Sequence, residues 1–175
     1  EKKYRDLLQT NADASYSTRC QTCPSSFYNG ALLQLLTSRI SAASCPEAEV
    51  IGLGMGYRAH SSLRKRLENW GDSLFGPNHG LEIVRSDSAP GLVIAANGGV
   101  SKRSKVVDLS QFGLRNEFRD RGRYNRRLAS KIPTEDNTAD IGTKLLFGES
   151  FKRLASFLGI VRVPGCTDGC ADTKA

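Results

Sequence analysis

The chain has 175 residues, 39% of them apolar and 25% charged, which fits one globular domain with room for a core. No run approaches the ~18 consecutive apolar residues of a membrane helix, so no membrane partner is expected. The net charge of +7 is concentrated: between Lys102 and Lys131 ten Lys and Arg oppose three acids. Such a block suits either a polyanion gripped through its phosphates or a solvated helix face.

Leu7 to Ala12 has weak strand character and is closed by Asp13. Ser25–Tyr28 and Ala31–Leu36 flank Asn29-Gly30, a strong signal for a tight hairpin because both residues tolerate positive φ. An antiparallel meander of three strands is therefore expected at the start. Ser44-Cys45-Pro46-Glu47 is a capping box with proline in the first turn. Beyond it Glu49, Leu53, Gly56, His60, Leu63, Leu67 and Trp70 recur at steps of three and four, one face of a helix that stops near Gly71. Leu81–Val84 is a short apolar strand running out at Asp87, and Ser88-Ala89-Pro90 starts a helix closed by Gly98-Gly99. A basic helix is expected over 104–121 and a strand over Tyr124–Ile132, broken by Pro133. Asn137 caps a further helix. Phe151, Leu154, Phe157 and Leu158 mark a last amphipathic one. The pattern predicts an α/β fold with a mixed sheet, whose ligands collect at the carboxyl ends of its parallel strands.

Four acids fall where those ends converge: Asp13, Glu49, Asp87 and Asp140. Clustered carboxylates raise one another's pKa, and divalent cations relieve that cost. Mg²⁺ prefers oxygen ligands, and a few carboxylates can hold two ions about 4 Å apart over a scissile phosphate. One ion would activate the attacking water and the other the leaving 3′-oxygen. Taken singly, Asp13 equally suits a turn beside Ser15, Asp87 a cap for the helix behind it, and Asp140 a capping box with Asn137. Glu47 is explained as the partner of Ser44. Glu49 lies about 200° away around the helix, on the stripe facing the sheet, where an unpaired charge is expensive.

Five cysteines do not make a complete disulfide framework, so reduced intracellular thiols are expected. Cys20/Cys23 and Cys166/Cys170 leave a four-cysteine zinc site as a minor alternative.

The run Ile132-Pro133-Thr134-Glu135-Asp136-Asn137-Thr138-Ala139-Asp140-Ile141-Gly142-Thr143-Lys144 closely resembles the C-terminal signature of the ribonuclease H domain of copia-type (Ty1/copia) retrotransposons. In order, Ala12-Asp13-Ala14-Ser15-Tyr16, the stretch from Ser38-Arg39 through Ser44 to Glu49, Ser86-Asp87-Ser88-Ala89 and Arg103-Ser104-Lys105 resemble its other pieces. The resemblance spans roughly Leu7 to Ile160. It implies a ribonuclease H-like fold: a mixed five-stranded sheet in the order 3-2-1-4-5, strand 2 antiparallel, with flanking helices. It also implies Asp13, Glu49, Asp87 and Asp140 as catalytic metal ligands for two Mg²⁺ ions, with Mn²⁺ as a substitute. The implied activity is endonucleolytic hydrolysis of RNA paired to DNA, beside a reverse transcriptase in one polyprotein, in a cytoplasmic retroelement particle or the nucleus. Lys102, Arg103, Lys105, Arg115 and Arg119 are the expected contacts to the hybrid. Residues 1–6 are expected to be linker from an upstream polyprotein, 7–160 the domain, and 161–175 a flexible cysteine-containing tail.

The family often has a histidine near Val106-Val107, and its cellular relatives one near the last aspartate. Here His60 lies on the helix stripe and His79 in a loop. Pro24, Gly54 and Gly56 read as signs of relaxed selection. A catalytically decayed or co-opted nucleic-acid-binding domain of the same fold is the main alternative. An integrase- or resolvase-type nuclease is a second, disfavoured by the Asp–Glu–Asp–Asp order.

Overall fold

The computed structural model describes residues 8–16, 20–70, 82–97 and 127–161. The expected helix over 104–121, the five basic residues from Lys102 to Arg119, Cys166, Cys170 and the two terminal segments 1–6 and 162–175 lie outside them.

Strand β1 (Leu8–Ala12) is the centre of the main sheet. It pairs antiparallel with β4 (Ser25–Tyr28), which turns through Asn29-Gly30 into β5 (Ala31–Leu35). Asn29 has φ 53° and Gly30 φ 83°, the left-handed pair that such a two-residue turn demands. On its other side β1 runs parallel to β7 (Glu82–Ser86), and β7 parallel to β8 (Arg127–Lys131). The main sheet thus reads β5-β4-β1-β7-β8. Counting its five strands along the chain, this is the order 3-2-1-4-5 with the second antiparallel, as the sequence resemblance implied.

A small second sheet, absent from the sequence expectation, joins β2 (Ala14–Ser15), β3 (Gln21–Thr22) and β6 (Ser38–Arg39) in antiparallel pairs. Two-residue strands carry no periodicity to read. It extends the chain past the end of β1 and holds the Asp13 backbone: the Cys23 N–H (3.2 Å) and the Thr22 hydroxyl (2.8 Å) both donate to its carbonyl.

Helix α1 (Cys45–Trp70) starts as the capping box predicts. The Glu47 N–H donates to Ser44 Oγ (3.3 Å), and Glu47 Oε2 accepts the Ala43 N–H (2.6 Å). Its inner stripe meets β1 at van der Waals range. A Cβ on Gly56 would stand 2.6 Å from Ala12 Cβ, and one on Gly52 2.9 Å from Ala14 Cβ. Gly56 is therefore required by close helix–sheet packing, which replaces the expectation of relaxed selection there. Leu53, Tyr57 and Val84 form one core cluster with Leu92 against it; Leu8, Leu63 and Leu67 form another with Tyr28. His60 is fully buried, its Nδ1 3.1 Å from the Thr10 hydroxyl, which in turn meets Ser26 Oγ at 2.9 Å. It is a packed core histidine, as its place on the stripe suggested. Trp70 departs from the stripe and is exposed. Leu67 already packs on Leu8, the first residue of β1, so the next helical turn has passed the sheet.

Helix α2 (Ala89–Asn97) follows β7, its start bonded through Ser88 Oγ to the Gly91 N–H (3.1 Å). After β8 the chain bends through Pro133 into a single 3₁₀ turn, Thr134–Asp136, then the short helix α3 (Asp140–Thr143) and finally α4 (Gly148–Phe157). None of the described helices is long and apolar enough to cross a membrane.

Candidate metal centre

Register alone brings the first two acids together. Ala12 pairs with Ser86 in the parallel ladder, so Asp13 and Asp87 leave adjacent strands side by side, about 5 Å apart by strand spacing. The strand before Asp87 is longer than the apolar run suggested, because Arg85 and Ser86 pair with β8 through Ser130 and Lys131. Glu49 comes from above. The glycine contact of α1 with Ala14 and the Asp13 carbonyl lowers the start of that helix onto the strand ends. One carboxylate oxygen from each of Asp13, Glu49 and Asp87 lies within 4.8 Å of the others. Asp13 is 2% exposed, and Glu49 and Asp87 are half-buried.

Asp140 reaches the same place from α3, 4% exposed, and is tied to the trio by Lys144. The Lys144 ammonium is 2.8 Å from Asp140 Oδ1, 3.6 Å from Asp13 Oδ1 and 3.9 Å from Asp87 Oδ2. The Thr143 hydroxyl donates to Asp13 Oδ2. The structure thus groups all four predicted acids, three within ligand range of one another and the fourth joined through an ammonium. Sequence reasoning assigned no part to Lys144 or Thr143. Lys144 was legible, since it stands four residues after Asp140, the spacing at which a short helix brings opposite charges together. Thr143 was not, because its partner is 130 residues away.

Burial is the leading cause of the site's electrostatics. It pushes Glu49 up to about 7, helped by the charges of Asp13, Asp87 and Asp140 and opposed by Lys144. Asp140 is pushed up to about 6 by burial, with Asp13 and Asp87 adding and the Lys144 ammonium opposing. Asp13 is raised by burial, partly offset by the Thr143 hydroxyl and Lys144. Burial pulls Lys144 down, but the carboxylates of Asp140, Asp13 and Asp87 outweigh it and hold the ammonium above its ordinary value. These are the marks of carboxylates short of positive charge.

A divalent cation fits this donor set. Glu49 Oε2 is buried with no hydrogen-bond partner, as a hard-cation ligand stripped of its ion would be. Asp13, Glu49 and Asp87 would hold such an ion. The zinc alternative finds no support at its first pair. Cys23 is fully buried, its sulfur accepting from the Thr37 hydroxyl and packed where a Cβ on Gly142 would stand.

The turn before Asp140 is held from behind. Thr138 Oγ1 accepts from Asn11 Nδ2 (2.8 Å) and meets Ser25 Oγ (2.6 Å), fixing the turn to β1 and β4. Asn137, expected to cap a helix, instead closes a two-residue turn: its Oδ1 accepts the Ala139 N–H (3.3 Å), and α3 begins beyond it.

The mixed sheet in this order, with helices flanking it and acids at the carboxyl ends of its central strands, is a ribonuclease H-like fold. The chain is similar in shape to the solved structure of LC11-RNase H1 in complex with RNA/DNA hybrid, at 19% sequence identity and a TM-score of 0.49. That match covers 77% of this chain and 91% of the other. No family model matches the chain, and no curated protein matches it by sequence.

Proposed function

We propose that this chain is a metal-dependent endonuclease that hydrolyses the RNA strand of RNA–DNA hybrids, the ribonuclease H of a copia-type retrotransposon acting during reverse transcription. The observation that carries this reading is the convergence of Asp13, Glu49 and Asp87 within 4.8 Å at the carboxyl ends of parallel strands. The copia-like run from Ile132 to Lys144 supplies Asp140 and Lys144 to the same place.

In the proposed reaction water attacks phosphorus, the bond to the 3′-oxygen breaks, and the products end in a 3′-hydroxyl and a 5′-phosphate. Mg²⁺, as two ions, or Mn²⁺ in its place, would supply Lewis acidity and a more acidic bound water. Asp13, Glu49, Asp87 and Asp140 are the proposed ligands. Thr143 and Lys144 fix the orientation of the Asp13 carboxylate, and Lys144 balances charge while the acids stand alone. Lys102, Arg103, Lys105, Arg115 and Arg119 are the proposed phosphate contacts, a salt-dependent grip. Choice of a hybrid over DNA follows from reading 2′-hydroxyls across a wide minor groove. The reverse transcriptase of the same polyprotein is the proposed partner, inside a cytoplasmic particle or the nucleus.

The decisive experiment is cleavage of a labelled hybrid in Mg²⁺ and Mn²⁺ by wild type and Asp87→Asn. The wild type should cut only with metal, and the variant should lose at least about a hundredfold in rate. Equal inertness of the two in both metals would refute the enzyme and leave a nucleic-acid-binding domain of the same fold.

A further inference from the structure

Asn137 has no exposed surface, and both ends of its carboxamide are used. Nδ2 donates to Asp87 Oδ1 (3.3 Å), and Oδ1 accepts the Ala139 N–H (3.3 Å). The amide can point only one way, because a flip would set an oxygen against a carboxylate and an NH₂ against an N–H. Its main chain is held as well: its N–H donates to the Thr134 carbonyl (3.2 Å), and its carbonyl accepts the Asp140 N–H (3.0 Å). The next residue, Thr138, is fixed to β1 and β4 by the Asn11 and Ser25 side chains.

From this geometry we infer that Asn137 is a positioning residue that locks Asp87 and Asp140 into one metal-binding arrangement; the inference rests on the metal-dependent reading above. It occupies Asp87 Oδ1, which leaves Oδ2 as the oxygen turned toward Lys144. Through its own carbonyl it also sets where α3, and so Asp140, begins. One residue therefore couples an acid from a central strand, held by its side chain, to an acid 53 residues later, held by its main chain, using the sheet behind Thr138 as a fixed base. A carboxylate that must rotate into place binds an ion more weakly than one already held. Losing such a supporting hydrogen bond typically costs about 10–100-fold in metal affinity.

The test uses two variants and binding of Mn²⁺, followed by electron paramagnetic resonance of the free ion. Asn137→Ala removes both side-chain bonds. Asn137→Ser removes only the one to Asp87, since a serine hydroxyl can still accept the N–H two residues on. That keeps a decisive variant in hand should the alanine form fail to fold. Asn137→Ser is expected to melt close to wild type in EDTA yet to bind Mn²⁺ at least about tenfold more weakly. Its cleavage of a labelled hybrid should recover at saturating Mn²⁺, which a general loosening of the fold would not produce. A wild-type Mn²⁺ isotherm for Asn137→Ser would overturn the inference and leave Asn137 as a turn-closing residue only. A wild type that binds Mn²⁺ but leaves the hybrid intact would instead sink the nuclease reading while Asn137 is judged on the isotherms.

Discussion

Glu49→Gln should make the metal-free protein more stable, and most of all at high pH. In the native state Glu49 is pushed from 4.5 up to about 7 by burial and by the charges of Asp13, Asp87 and Asp140. The folded chain therefore holds a proton that the unfolded chain has released, so stability falls as pH rises between those values. At about 1.4 kcal/mol per tenfold change in proton affinity, and discounted for the part of the carboxyl that water still screens, ionised Glu49 costs on the order of 2 kcal/mol above pH 7. The cost is below about 1 kcal/mol at pH 5. Gln has the same shape and no charge, so the variant escapes the cost. For a chain of this size the gain is about 4–8 °C in melting temperature at pH 8 in EDTA, shrinking to a degree or two at pH 5. Saturating Mg²⁺ should work the other way, stabilising wild type more than the variant, because the ion binds the folded carboxylates and Gln is the poorer ligand. Thermal melts by circular dichroism at the two pH values, with EDTA and with Mg²⁺, give all four comparisons. If the two proteins melt together at pH 8 in EDTA, Glu49 does not face the acidic cluster and the site as described is wrong.

Gly56→Ala should destabilise by about 1–3 kcal/mol although alanine is the better helix former. The added methyl would meet Ala12 Cβ at 2.6 Å, and urea unfolding would measure the loss. Thr138→Val removes the hydroxyl that Asn11 and Ser25 both use, and leaving those buried groups unpaired should cost about 1–3 kcal/mol in the same assay. Lys144→Met takes the counter-charge from Asp13, Asp87 and Asp140. At pH 8 in EDTA it should melt below wild type, and Mg²⁺ should raise its melting temperature by more than it raises wild type's.

The legible parts were those with a local cause. Asn29-Gly30 announced its hairpin because few residues accept two positive φ angles in a row. Ser44 and Glu47 announced the start of α1 because a capping box needs only four residues. The stripe from Glu49 to Leu67 announced which helical face meets the sheet, and so separated Glu49 from Glu47. The small β2-β3-β6 sheet was not legible, since its strands are too short to alternate. Gly56 was misread because a glycine inside a helix looks like a defect until the opposing Ala12 is seen. Asn137 looked like a cap because Asp140 lies at capping-box spacing, whereas its amide is spent on Asp87, fifty residues earlier.

By itself the sequence determined the hairpin, the capped start and buried face of the long helix, and which four acids were candidates to share a cation. Only the tertiary structure decided that three of those acids stand within 4.8 Å of one another and that Lys144 balances the cluster. It alone also showed that an amide holds Asp87 in place. The division has a physical reason. Turns, caps and periodicity are energies between neighbours along the chain, while a charged cluster is an energy between groups whose distance is set by strand register and helix–sheet contact.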